Sequence, residues 1–174
     1  GVIRALKDLK SDIGKVTNVE PAVVLDKVGS LKEAVIVGTL GKSALIDQLV
    51  KSGKIDVKNM VGKWEHFLIQ VVNQPMPGVE KALVIVGSDK RGTIYGIYDL
   101  SEQMGVSPWY WWADVPVQKK ESIFVAPGTY TQGEPAVKYR GIFINDEAPC
   151  LTTWVKNTYG TEYGDHNFYA RVFE

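Results

Sequence analysis

Apolar positions recur with two different periods along this chain. Near the start, Val2, Leu6, Leu9, Ile13 and Val16 follow one another at spacings of four, three, four and three. That spacing lays one apolar stripe along a helix, which residues 18–21 end at Pro21. Residues 22–25 are a short apolar run that predicts a strand. Residues 34–37 are a second, β-branched run before Gly38 and predict a buried strand. A helix is predicted over 42–52, with Leu45, Ile46, Leu49 and Val50 on one side and Gly53 as its stop. Phe67, Ile69 and Val71 then alternate with Leu68, Gln70 and Val72, which predicts a strand. Pro75, Met76, Pro77 and Gly78 make a turn, and 82–86 is another buried strand. Ser88 or Asp89 offers a cap for a helix reaching about Met104, with Ile94, Ile97, Tyr98 and Leu100 as its apolar positions and Gly105 as its stop.

Apolar strands covered by amphipathic helices define an α/β layered domain with a mixed sheet. A further strand before residue 1 would complete the pattern. A boundary is expected near residues 133–135, giving domains 1–134 and 135–174. Ahead of it, 122–126 and 129–131 predict two edge strands around Pro127 and Gly128. Beyond it, 137–144 predicts a new strand ending at Asn145, Asp146 and Glu147. A Gly-, Tyr- and Thr-rich loop over 151–165 and a helix from Asn167 follow. One βα unit cannot bury its own faces. These residues either dock on the first domain or begin a larger one.

Composition narrows the function classes. The 174 residues carry 20 Lys+Arg against 20 Asp+Glu, so there is no electrostatic footprint for nucleic acid or an anionic membrane. No apolar run approaches the ~20 residues that cross a bilayer. Cys150 is the single cysteine, which excludes an intrachain disulfide and a cysteine zinc site. His66 and His166 are the two histidines, and neither has a partner at metal-ligand spacing. No metal and no cofactor are expected.

Four short segments carry candidate chemistry. Gly38, Thr39, Leu40, Gly41, Lys42 and Ser43 join a strand to a helix as a phosphate loop would, but Ile36 stands where that pattern needs its first glycine. Gly87, Ser88, Asp89, Lys90, Arg91 and Gly92 join another strand to a helix. They read either as an anion site or as a cap and tight turn. Trp109, Tyr110, Trp111 and Trp112, with Asp114 close behind, hold three of the five tryptophans. Strict alternation along a strand would bury only half of these rings. They read as a sugar-stacking surface or as aromatics that seal the sheet or join two domains. Asn145, Asp146 and Glu147 follow the apolar residues Gly141, Ile142, Phe143 and Ile144. The carboxyl end of a buried strand is where α/β proteins build sites, and neighbouring carboxylates push their pKa values apart. The plainer reading is a strand-end turn with Asp146 as a cap.

The run from Gly87 to Glu102, the segment Gly105, Val106, Ser107, Pro108, Trp109, Tyr110, Trp111, Trp112, Ala113, Asp114, Val115, Pro116, and the segment Lys138, Tyr139, Arg140, Gly141, Ile142, Phe143, Ile144, Asn145, Asp146, Glu147 together resemble glycoside hydrolase family 115. The first block is the less specific, since similar helix openings occur in N-terminal domains of hexosaminidases and other α-glucuronidases. The resemblance implies a xylan α-1,2-glucuronidase that removes glucuronic acid or its 4-O-methyl ether from glucuronoxylan with inversion. It implies a layered α/β N-terminal domain like those that precede glycosidase barrels. The first βα unit of a (β/α)8 barrel follows, with 137–145 as its first strand; a barrel needs about 250 residues, so most of it lies outside this chain. On that reading Asp146 faces the sugar as ligand or base, Asn145 bonds a hydroxyl, and Glu147 is an orienting neighbour. The second catalytic carboxylate lies beyond residue 174, Trp109 and Trp112 contact substrate, and this chain alone is inactive. Expected partners are glucuronoxylan or a uronic-acid-decorated oligosaccharide, the remaining barrel and C-terminal domains, and a second copy of the full-length protein. The expected location is extracellular or periplasmic. The alternative is a non-catalytic carbohydrate-binding or scaffolding α/β domain, and a third reading is an anion-binding domain using the segment at Gly87 and Gly92.

Overall fold

A computed structural model describes residues 1–25, 29–161 and 165–173. The chain divides into two compact units, Gly1–Ala136 and Val137–Glu174. In the first, helix α1 (Val2–Thr17), strand β1 (Leu31–Thr39), helix α2 (Ala44–Lys51), strands β2 (Phe67–Met76) and β3 (Val79–Gly87), helix α3 (Lys90–Met104), a single helical turn α4 (Trp109–Trp112) and strand β4 (Thr129–Gln132) follow in order. The sheet order is β1-β3-β2-β4. β1 runs parallel to β3, whereas β2 is antiparallel to both β3 and β4. The fold class is therefore α/β with a layered, mixed sheet.

Side-chain alternation explains the layers. On β2 and β3, Leu68, Val72, Val84 and Val86 point to one face and meet Ile46 and Leu49 of α2 with Ile55, Val57 and Met60. Phe67, Ile69 and Ile85 point to the other and meet Ala5, Leu9 and Val16 of α1 and Ile97, Leu100 and Met104 of α3. A strand covered on both faces is apolar at nearly every position, which is why the run at 82–86 is continuous rather than alternating. Val84, Ile85, Val86 and Ile97 are fully buried, and each such aliphatic side chain contributes roughly 1.5–3 kcal/mol. Gly96 lets α3 lie against the sheet: a Cβ there would come within 2.8 Å of Ile85 Cγ2.

The predicted elements at α1, α2, β1, β2, β3 and α3 are present, with β1, β2 and β3 extending past the predicted runs. Two predicted strands of the first unit are absent. Residues 22–25 are not a strand, and Val23, Val24 and Leu25 are exposed. Residues 122–126 form no ladder either. Ile123 and Val125 pack on the second core while Phe124 points outward, so the alternation is real but no neighbouring strand among the described residues hydrogen-bonds it.

The second unit contains helices α5 (Leu151–Tyr159) and α6 (His166–Phe173). The loop predicted over 151–165 is therefore half helix. Leu151, Trp154 and Val155 supply an i, i+3, i+4 face, and Gly160 closes α5 in the left-handed conformation at φ 75°. Buried Val155 and Phe168 hold the unit together, with the Trp154 and Tyr159 rings 6.3 and 6.1 Å from Phe168. Residues 137–144, predicted as a strand, make no ladder among the described residues. Val137, Tyr139, Ile142 and Phe143 are exposed. A strand is defined by its neighbour, and here no described segment pairs with it.

Candidate active site

The two sets of candidate residues lie in different units. Asn145, Asp146 and Glu147 belong to the second. Ile144 and Asp146 are half-buried, whereas Phe143, Asn145 and Glu147 are exposed, a period-two pattern that sets Asp146 apart from both neighbours. Asn145 Oδ1 accepts a long hydrogen bond, 3.4 Å, from the Glu147 amide. This links the two outward residues to each other and leaves Asp146 outside the contact.

Trp109, Tyr110, Trp111 and Trp112 belong to the first unit, as one turn of helix rather than a strand. Pro108 opens the turn, and the Trp109 carbonyl accepts from the amides of Ala113 and Val115 at 2.9 and 3.2 Å. Tyr110 packs on the second core and ties the turn to α1. Lys15 Nζ donates to Asp12 at 2.7 Å and to the Tyr110 hydroxyl at 3.2 Å, and lies 4.3 Å from the Tyr110 ring centroid. Burial pulls the Lys15 pKa down, but the bonds to Asp12 and Tyr110 outweigh it, and the net shift is upward. Trp111 and Trp112 meet edge to face at 4.3 Å. Trp109 is 59% exposed, which makes it the most open ring of the turn. Asp114 follows at φ 52°, a left-handed position, and is exposed.

The loop at Gly87 and Gly92 already contains its anion. Asp89 caps α3 by accepting from the Gly92 amide at 2.7 Å, and its other oxygen accepts from the Glu65 amide at 3.0 Å. Ser88 and His66 bond each other twice: the Ser88 amide donates to the His66 carbonyl at 2.8 Å, and the His66 amide donates to the Ser88 hydroxyl oxygen at 3.1 Å. A carboxylate of the chain itself thus occupies the helix N-terminus, which supports the capping reading over a site for an outside anion. Arg91 pairs with Glu65 at 2.7 Å, and the Glu65 side chain is 1% exposed. Glu65 has φ 53°, a left-handed residue that nothing in the sequence announces.

A polar group not anticipated from the sequence extends from this loop to β4. His66 Nε2 lies 2.7 Å from Thr131 Oγ1, and Glu134 accepts from the Trp64 amide at 3.2 Å and from Lys63 Nζ at 2.7 Å. Burial lowers the His66 pKa; the Lys63 hydrogen bond lowers that of Glu134. The signal available was the polar string Lys63, Glu65 and His66 just before an apolar strand. Among the described residues, no group of three His, Cys, Asp or Glu side chains is placed to hold a metal ion. None of the described helices is long and apolar enough to cross a membrane.

Comparison with known proteins gives these segments a context. Residues 132–174 match glycosyl hydrolase family 115. A search of curated proteins gives no match. Several solved chains match, among them a structure described as a family 115 4-O-methyl-α-glucuronidase with specificity for decorated arabinogalactans. The two are 36% identical with a TM-score of 0.79, and the match covers 99% of this chain and 21% of that one. A match of that identity across both units, joined to the family match over the second, makes this an α/β chain of the glycoside hydrolase class. The chain belongs to glycosyl hydrolase family 115, and it spans about a fifth of the length of the solved relative.

Proposed function

We propose that this chain is the N-terminal α/β unit and the first barrel βα unit of an enzyme that hydrolyses α-linked glucuronic acid, or its 4-O-methyl ether, from a plant polysaccharide. The 36% identity to a 4-O-methyl-α-glucuronidase across 99% of the chain carries the proposal. An inverting site needs an acid and a water-activating base ~6.5–9.5 Å apart. Asp146 and Glu147 are consecutive, one half-buried and the other exposed, and do not serve as that pair. The half-buried Asp146 takes the sugar-facing role as base or ligand, Asn145 bonds a hydroxyl, and Glu147 orients its neighbours. The second carboxylate comes from chain beyond residue 174, and the fragment alone is inactive. Trp109 and Trp112 offer the first unit a stacking surface for a sugar ring. The proposed setting is extracellular or periplasmic, with the full-length protein a homodimer.

Two polysaccharide backbones are open to such an enzyme. The motif resemblance favours glucuronoxylan, whereas the solved relative is described as specific for decorated arabinogalactans. The full-length protein should be incubated with each polymer and the released uronic acid followed by NMR. Release of the β-anomer from either polymer supports inverting hydrolysis and names the backbone. Binding of both polymers with no release would replace the enzyme reading with that of a carbohydrate-binding module.

A further inference from the structure

The first unit holds a cleft of about 840 Å³ at the end of the sheet where β1 and β3 begin, a volume within the range of small-ligand sites. Its walls are the start of β1, the C-terminal end of α2 and residues 74–80, which turn β2 into β3. Backbone contacts fix these walls. The Leu31 amide donates to the Gly78 carbonyl at 2.7 Å, and a Cβ on Gly78 would lie 3.2 Å from the Gly29 carbonyl oxygen. The lining side chains are therefore not needed to hold the cleft open. Lys32 and Lys54 bring two ammonium groups to it, Gln48 and Gln74 two amides, and Glu80 one carboxylate. None of these five side chains has a hydrogen bond or an ion pair among the described residues. Half-buried Met76 and buried Val79 add apolar surface.

Gln74 is the unusual member of this set. Asn73 pairs with Lys81 and Met76 with Val79, so Gln74 and Pro75 together oppose Glu80 in a bulge. Such bulges re-aim a side chain. Gln74 has φ 46°, a left-handed position that glycine fills without steric conflict. A long amide side chain kept there against that preference, beside two ammonium groups, suits a bound ligand. Ammonium and amide donors select an anion. Glu80 decides which kind, because it repels a compact anion that carries only acceptors. A sugar carboxylate comes with hydroxyls that donate to Glu80 and C–H surface that covers Met76. We propose that this cleft binds a uronic sugar, with Lys32 and Lys54 on its carboxylate, Gln74 donating to it from the bulge and Glu80 accepting from a hydroxyl. In naming a uronate rather than another hydroxy acid, the proposal rests on the glucuronidase reading; its test does not depend on catalysis.

The full-length protein should be treated with an amine-acetylating reagent in rising concentrations of glucuronate, glucose or inorganic phosphate. Peptide mass spectrometry then reads acetylation at Lys32 and Lys54, with Lys58, whose side chain is 89% exposed, as the internal reference. Glucuronate should slow acetylation of Lys32 and Lys54 and leave Lys58 unchanged, while glucose protects neither and phosphate protects far less well. Gln74→Gly suits the left-handed backbone and should fold. It should raise the glucuronate concentration for half-protection about tenfold, the scale of one lost hydrogen bond to a charged group. No protection by glucuronate would overturn the site, and equal protection by phosphate or by glucose would overturn its assignment to a uronic sugar. Unchanged protection in Gln74→Gly would overturn the part given to Gln74. Uronic acid release without protection refutes the cleft alone, whereas protection in a protein that releases no uronic acid refutes the enzyme reading and upholds the cleft.

Discussion

In the first unit, the apolar run at Val84, Ile85 and Val86 is fully buried; in the second, Ile142 and Phe143 are 75% and 91% exposed. Both runs have the composition of a central strand. β3 has β1 on one side, β2 on the other and helices over both faces. The segment at 137–144 has no strand neighbour among the described residues, and α5 and α6 bury only Val155 and Phe168 fully. Sequence pattern specifies which side chains want to be covered, and the cover itself comes from elsewhere in the chain. On the proposed reading, the remaining length of the family 115 enzyme supplies it.

Substitutions in the two runs should differ most at their centres. Ile85→Ala opens a cavity between the sheet, α1 and α3 and should destabilise the first unit by about 2–5 kcal/mol. Phe143→Ala in this chain should change stability by less than about 0.5 kcal/mol, as for an exposed site. Urea unfolding of both variants checks the pair, and equal losses would contradict the contrast. Next in size is Asp89→Ala, which removes the cap of α3 and the acceptor for the Glu65 amide. It should cost about 1–2 kcal/mol, read from the same unfolding curves.

The smallest effect is a pH dependence. Burial lowers the folded-state pKa of His66 below its unfolded value. The unfolded chain therefore binds the extra proton first, and stability falls as pH drops through about 6.5. The melting temperature should decline more between pH 7 and pH 5.5 in the wild type than in His66→Gln. Glu134 acts lower: its depressed pKa gives stability that is lost only as pH falls below the usual carboxylate range.

Much of the first unit was legible because its signals are local. The 3.6-residue stripe of α1, the Asp89 cap, the glycine stops, the alternation of β2 and the continuous apolar run of β3 each follow from neighbouring residues. The strand misread at 22–25 and the missing ladder at 122–126 fail for a shared reason. Pairing depends on residues far away in sequence, which a run of apolar residues does not reveal. α5 was hidden by its Thr, Asn and Tyr content, although Leu151, Trp154 and Val155 carried its period. At the candidate site, Asn145, Asp146 and Glu147 stood out as a polar group after an apolar run. The links from Lys63 and His66 to β4 did not, because they join residues about seventy positions apart.

The proposed role of Asp146 in a glucuronidase predicts a large loss of activity when its carboxylate is removed. Uronic acid release by the full-length protein should be compared with that of its Asp146→Ala variant, on whichever polymer proves the better substrate, with folding of both confirmed by thermal melting. A loss of about a thousandfold in kcat, the scale of a missing acid–base group, with the melting temperature kept, is the result expected. Near-normal release by the variant would contradict the role assigned to Asp146.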